Sequence, residues 1–155
     1  MQLVIADTGP VNYLILIGHI DLLPRLFQRV ILPSAVKEEL RDIGAPLAVR
    51  AWIGNPPVWL EIMETPGPGP ALLDEGEAAL IALAISLHAD LVLIDERRGV
   101  KVARSQGLRV TGTLGLLELA AQSGLVDFTE AVERLRLTTF RGPEALLETM
   151  LKKHQ

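Results

Sequence analysis

The sequence predicts an α/β fold, a three-layer α/β/α sandwich built on a mainly parallel central sheet. Three observations carry that expectation. Short apolar runs such as Leu3-Val4-Ile5-Ala6 and Leu91-Val92-Leu93-Ile94 contain no polar residue, the pattern of parallel strands buried on both faces. Segments of helical character alternate with such runs along the chain, as in parallel strands joined by crossover helices. Two of the runs stop on carboxylates, Asp7 in one case and Asp95-Glu96 in the other. In open α/β sheets the binding crevice lies beyond the carboxyl ends of the strands, so two neighbouring strands ending in Asp would aim both carboxylates at one crevice.

Taken in order, residues 2–6 form the first expected strand, followed by the turn-forming Thr8-Gly9-Pro10. A short helix runs from Pro10 to about Ile17, because proline suits a first helical turn. Gly18 punctuates it, and residues 19–27 form a second short helix. Val30-Ile31-Leu32 is the second strand, and Pro33-Ser34 opens a helix to about Asp42. Gly44-Ala45-Pro46 breaks the chain before a further helical stretch over 47–53. Asn55-Pro56-Pro57 precedes a strand at 58–63. Thr65-Pro66-Gly67-Pro68-Gly69-Pro70 is the strongest loop signal, either a rigid connector or a flap over the crevice. A long helix follows over 74–88, then the strand at 91–95, a helix over 96–106 and a strand at 108–111. Helices over 113–123, 127–137 and 143–153 close the chain. With no repeat and no boundary, residues 1–155 read as a single domain.

A chain of 155 residues is long enough to bury roughly 68–70% of its unfolded surface. Apolar residues make up 49% and supply a core, while the 4% of aromatics argues against a stacking platform for single-stranded bases. The absence of cysteine excludes disulfides, thiolate metal sites and cysteine nucleophiles. Neither a signal peptide nor an apolar run of the ~18 residues that span a membrane is visible, so a cytoplasmic location is expected. The net charge of −4 is unlike an ordinary nucleic-acid binder. A carboxylate cluster holding divalent cations would make that sum misleading, because the ions are then the largest local charges. His19, His88 and His154 are scattered and receive no role, and the basic residues of the last two helices read as a solvated face.

Helical spacing, at about 100° per residue, separates inward acids from surface ones. In the helix after Pro33, Val36, Leu40 and Ile43 form the apolar stripe; Glu39 flanks it and Glu38 lies opposite. In the 74–88 helix, Leu80, Leu83, Ala84 and Leu87 define the buried face, and Glu77 falls within it. A carboxylate there is costly unless paired, hydrogen-bonded or bound to a metal. Asp74-Glu75-Gly76-Glu77 also has capping-box spacing, so Glu77 is either a cap or a ligand. By the same logic Asp7 could be a turn residue, and Asp95 with Glu96 the N-cap of the next helix. Yet Asp7, Glu39 and Asp95 lie within two helical turns of a strand's carboxyl end and Glu77 opens the helix that follows the next strand and its loop, and four unrelated caps on one rim would be the less economical account.

Val4-Ile5-Ala6-Asp7-Thr8-Gly9-Pro10, Pro33-Ser34-Ala35-Val36-Lys37-Glu38-Glu39-Leu40, Gly76-Glu77-Ala78-Ala79-Leu80-Ile81-Ala82-Leu83-Ala84 and Leu93-Ile94-Asp95 together resemble the successive acidic motifs of PIN domains. These are metal-dependent nucleases that include the VapC-type toxins of toxin–antitoxin pairs. The resemblance spans almost the whole chain, with the motifs in order. It implies that Asp7, Glu39, Glu77 and Asp95 form the catalytic, metal-binding acidic site, with Thr8 supporting it through its hydroxyl. The family's Glu-Leu pattern selects Glu39 over Glu38, in agreement with the helical-face argument. The third position is often Asp in VapC-type toxins and is Glu77 here, a longer side chain that shifts the metal's position. Gly112-Thr113-Leu114-Gly115 resembles a Gly-Thr-x-Gly segment of a PIN-like subgroup, where Thr113 is either a helix N-cap or part of a backbone anion site at a helix N-terminus.

An all-oxygen ligand set suits Mg2+ or Mn2+ rather than zinc. Such an ion lowers the pKa of a bound water and neutralises charge on a scissile phosphate, so the implied reaction is in-line hydrolysis of RNA phosphodiesters. Arg97, Arg98, Lys101 and Arg104 either hold the RNA backbone or form a solvated helix face. The resemblance further implies an antitoxin partner and a homodimer through the apolar helices between residues 10 and 53. Two other readings stand beside it. A receiver-like phosphoacceptor domain is disfavoured, because Asp7 has no acidic neighbour and no lysine follows the 108–111 strand until Lys152. A PIN-like nucleic-acid-binding or protein-interaction module with weak or no nuclease activity is opposed by the intact acid set.

Overall fold

The computed structural model describes residues 2–70 and 73–154. The chain begins with β1 (Leu3–Ala6), α1 (Thr8–Leu16), α2 (Leu22–Leu26) and β2 (Arg29–Pro33). It continues through α3 (Ser34–Arg41), α4 (Leu47–Gly54), β3 (Leu60–Met63), α5 (Glu75–Leu87) and β4 (Leu91–Leu93). It closes with α6 (Arg97–Ser105), β5 (Val110–Thr111), α7 (Thr113–Gln122), α8 (Phe128–Arg136) and α9 (Glu144–Lys153). The strands lie in the order β3-β2-β1-β4-β5, and every pairing is parallel. The expected α/β class is therefore what the chain adopts, with a sheet that is parallel throughout.

Period-two alternation sorts the strand residues between two cores. Val4, Ala6, Val30, Leu32, Leu91 and Leu93 face a cluster supplied by α1, α3, α4, α7 and α8. Leu3, Ile5, Ile31, Val92 and Ile94 face the other, supplied by Leu80, Ile81, Leu83 and Ala84 of α5 and Ala103 of α6. β1 and β4, at the centre of the sheet, are apolar on both sides because each side is covered, which is why their runs read as unbroken, whereas the edge strands β3 and β5 are half-buried and carry Glu61 and Thr111. The chain winds outward from β1 to β3, crosses the opposite face as α5, and re-enters beside β1 as β4. That reversal places the carboxyl ends of β1 and β4 side by side, with Ala6 in register with Leu93. It is the switch point at which open α/β sheets form their crevice.

Element boundaries shift in ways that local chemistry explains. Helix α1 starts at Thr8, ahead of the expected Pro10, because a proline in the first turn lacks only an N–H that has no partner there. The second expected helix contracts to Leu22–Leu26, since Gly18 takes a left-handed φ of 79° and the chain turns before it resumes. Strand β3 starts at Leu60 rather than 58, and β5 at Val110 rather than 108. The Pro/Gly loop is laid on α5: the Thr65 hydroxyl donates to the Ala79 carbonyl at 3.3 Å, and Gly69 touches the backbone of Ala78 so closely that a Cβ would collide. This contact favours the connector over the flap.

Candidate acidic site

Asp7 follows β1 directly, and its N–H donates to the Leu93 carbonyl at 2.9 Å, tying it to the end of β4. It occupies the N-cap position of α1, yet its side chain makes no capping bond to the second or third helical amide. At 6% exposure, burial is the main cause that raises Asp7 from 3.8 to about 7. The Thr8 amide offsets part of that shift, while the carboxylates of Glu39, Asp74 and Asp95 add to it.

Asp95 lies two residues beyond β4 and is gripped from α7. Its Oδ1 accepts the Thr113 N–H at 2.8 Å and its Oδ2 accepts the Thr113 hydroxyl at 2.5 Å. Burial raises the Asp95 pKa, and the Thr113 hydroxyl and amide pull it back. The carboxylate also lies against Gly112 and faces Gly9, where a Cβ would stand 3.7 Å from Oδ2. Two sequence alternatives are corrected by this geometry. Thr113 is not an N-cap: Gly112 holds that position, and the amide at the start of α7 is filled by Asp95 itself. Of the Asp95-Glu96 pair, only Glu96 caps α6, accepting the Gly99 N–H at 2.8 Å.

Glu39 stands near the end of α3 and accepts the Thr8 hydroxyl, its carboxylate resting on the Cα of Gly76 in the first turn of α5. Glu38 instead pairs with Arg41 at 3.4 Å on the surface. Glu77, in the same first turn, is 7% exposed, and its Oε2 has no hydrogen-bond partner among the described residues. Asp74 caps α5 by accepting the Glu77 N–H at 2.8 Å. Burial, then the adjoining carboxyl groups of Asp74 and Glu96, push Glu77 up from 4.5 to about 9. Its Oε2 lies where a Cβ on Gly99 would approach to 2.6 Å.

Asp7, Glu39 and Asp95 thus lie around the ends of β1 and β4, while Glu77 points into a neighbouring group with Asp74 and Glu96. Asp74 acts on both Asp7 and Glu77 and so links the two groups. Sequence reasoning missed Asp74 and Glu96 as members; their cap-like spacing, three residues before Glu77 and Gly99, was the available signal. Arg97, Arg98, Lys101 and Arg104 are exposed along α6, which begins at the edge of this cluster.

The donor chemistry fits a hard divalent cation: oxygens only, one of them buried and unpartnered, on three glycines that leave room for carboxylates. A finished chelate is not preformed. Among the described residues, no three acidic or histidine side chains are grouped so as to hold one ion as they stand. Glu39, Asp74 and Glu96 are exposed, and each is engaged by a neighbouring hydroxyl or amide.

A family model described as DUF3368: PIN domain matches residues 3–155. Among solved structures the chain is similar to a PilT N-terminus domain protein from the hyperthermophilic archaeon Sulfolobus solfataricus P2. The TM-score is 0.54 at 12% identity, over 75% of this chain and 90% of that one. At that identity the likeness shows the fold alone. No curated protein matches. Among the described residues, no helix is long and apolar enough to cross a membrane.

Proposed function

The chain belongs to the PIN-domain family, generally nucleases that use divalent metal ions, and from that premise we propose that it is an Mg2+- or Mn2+-dependent endoribonuclease, the toxin of a type II toxin–antitoxin pair. The observation that carries this reading is the crowding of carboxylates at the ends of β1 and β4, where the charges acting most on buried Asp7 are all negative. Such crowding is unfavourable until a cation shares it.

In this reading Asp7, Glu39, Glu77 and Asp95 hold the cation, and Thr8 steers Glu39 by donating to it. A bound divalent ion supplies charge to the scissile phosphate and acidifies a water. Asp7 stays fixed because its backbone is bonded to β4, and Asp95 because Thr113 holds both its oxygens. The exposed cations of α6 meet the backbone phosphates of RNA beside the acids, offsetting the chain's net charge of −4 where the substrate lies. An RNA substrate agrees with the cytoplasmic location expected from the sequence. Exposed Ile43, between α3 and α4, and exposed Leu47, the first residue of α4, support a homodimer through the helices between residues 10 and 53, and an antitoxin would cover the acids.

The test is cleavage of RNA by the purified protein with Mg2+ or Mn2+, with excess chelator, and with Asp7→Asn and Asp95→Asn. Loss of cleavage by roughly 100-fold or more is expected in the chelator and in both variants, on the scale of removing one electrostatic contributor. Unchanged cleavage in both variants would refute the site. A second reading, a PIN-like module that binds nucleic acid with little cleavage, is favoured by the absence of a preformed chelate among the described residues. It predicts RNA retention without products under either metal.

A further inference from the structure

Thr113 is fully buried at the start of α7, in a segment whose role the four acids leave unexplained. It meets Asp95 with two donors at once, the backbone N–H to Oδ1 at 2.8 Å and the hydroxyl to Oδ2 at 2.5 Å. Two donors from one residue to the two oxygens of one carboxylate fix its plane as well as its place. The flanking glycines make that approach possible. A Cβ on Gly112 would meet Asp95 Oδ1, and one on Gly115 the Thr111 hydroxyl, so glycine at both positions lets the start of α7 approach without displacing either side chain. Gly112, Thr113 and Gly115 are thereby accounted for as a clamp, while Leu114 belongs to the core.

We propose that Thr113 is a positioning residue: it holds Asp95 in one orientation, so that the carboxylate meets a divalent cation without first giving up rotational freedom. The inference rests on the metal-dependent reading above and assigns Thr113 no contact with metal or substrate. Groups that orient a metal-binding side chain typically change affinity by roughly 10–100-fold when removed.

The experiment is Mn2+ titration of the whole chain by calorimetry, with wild type, Thr113→Val, Thr113→Ser and Asp95→Asn, and a thermal melt of each. Valine keeps the shape and the backbone bond but lacks the hydroxyl; serine keeps the hydroxyl. The proposal expects Mn2+ binding weakened roughly 10–100-fold in Thr113→Val and within about twofold of wild type in Thr113→Ser. Wild-type binding in Thr113→Val, or equal losses in both variants, would overturn it while leaving the nuclease reading intact. Should Thr113→Val fail to fold, Thr113→Ala takes its place, with the same expected and overturning results. A wild type that binds no Mn2+ overturns the metal-dependent reading, and the positioning role falls with it.

Discussion

The substitution Asp7→Asn should make the metal-free protein more stable at alkaline pH, although it removes a candidate ligand. In the folded chain Asp7 titrates at about 7 against an ordinary 3.8. Between those values the folded chain binds more protons than the unfolded one, so stability falls as pH rises through that window and levels off above it. At about 1.4 kcal/mol per pH unit, the ionised carboxyl costs the fold about 4 kcal/mol at pH 8, and about half that if neighbouring acids relax. An asparagine side chain cannot ionise, so Asp7→Asn should recover about 2–4 kcal/mol, a rise in melting temperature of roughly 4–16 °C. At pH 4, where the folded-state carboxyl is protonated, wild type and variant should melt nearly together. Thermal melts in chelator at pH 4 and pH 8 measure both effects. Added Mn2+ should then reverse the ranking at pH 8, stabilising wild type more than the variant. If Asp7→Asn were destabilising in chelator at pH 8 by as much as at pH 4, the burial and crowding argued for Asp7 would be wrong.

Gly99→Ala should destabilise by about 1–3 kcal/mol in a urea titration, since its Cβ would meet the Ile94 side chain and Glu77 Oε2 inside the core. Gly76→Ala should leave the melting temperature almost unchanged, because its Cβ meets the movable end of exposed Glu39; the Thr8–Glu39 bond should break and Mn2+ affinity should fall several-fold by calorimetry. Replacing Arg97, Lys101 and Arg104 together by alanine should lower the log–log salt slope of RNA binding by about 2, at ~0.7 per phosphate contact on a single strand, without changing the melt. Light scattering at micromolar concentration should give a dimer mass, reduced to a monomer by Leu47→Asp.

The fold class was legible because the central strands are covered on both faces and therefore carry uninterrupted apolar residues, as Leu3–Ala6 and Leu91–Leu93 do. The neighbouring of those two strands was not. It depends on α5 returning across the second face, a choice made by packing rather than by any local pattern. Helical angle distinguished Glu39 from Glu38, and the structure turns Glu39 to Thr8 and Glu38 to Arg41. The same tool could not show that Glu77 looks toward Asp74 and Glu96, because those partners come from a loop and from the next crossover. Thr113 looked like a cap because caps and clamps use the same residue types at helix starts; only the position of Asp95, 18 residues earlier in the chain, separates them.

The strand order also sets a timetable for synthesis. A nascent chain extending to Met63 already has β1, β2 and β3, which are neighbours in the finished sheet, but of the four acids only Asp7 and Glu39 exist. The vacant edge of β1 waits for β4, and the bond from the Leu3 N–H to Asp90 Oδ2 closes a span of 87 residues. Asp95 is seized only once Thr113 has left the ribosome. Whatever the acids do together, a translating ribosome is spared it until most of the chain has been made, and a product terminated before Asp95 carries only part of the set.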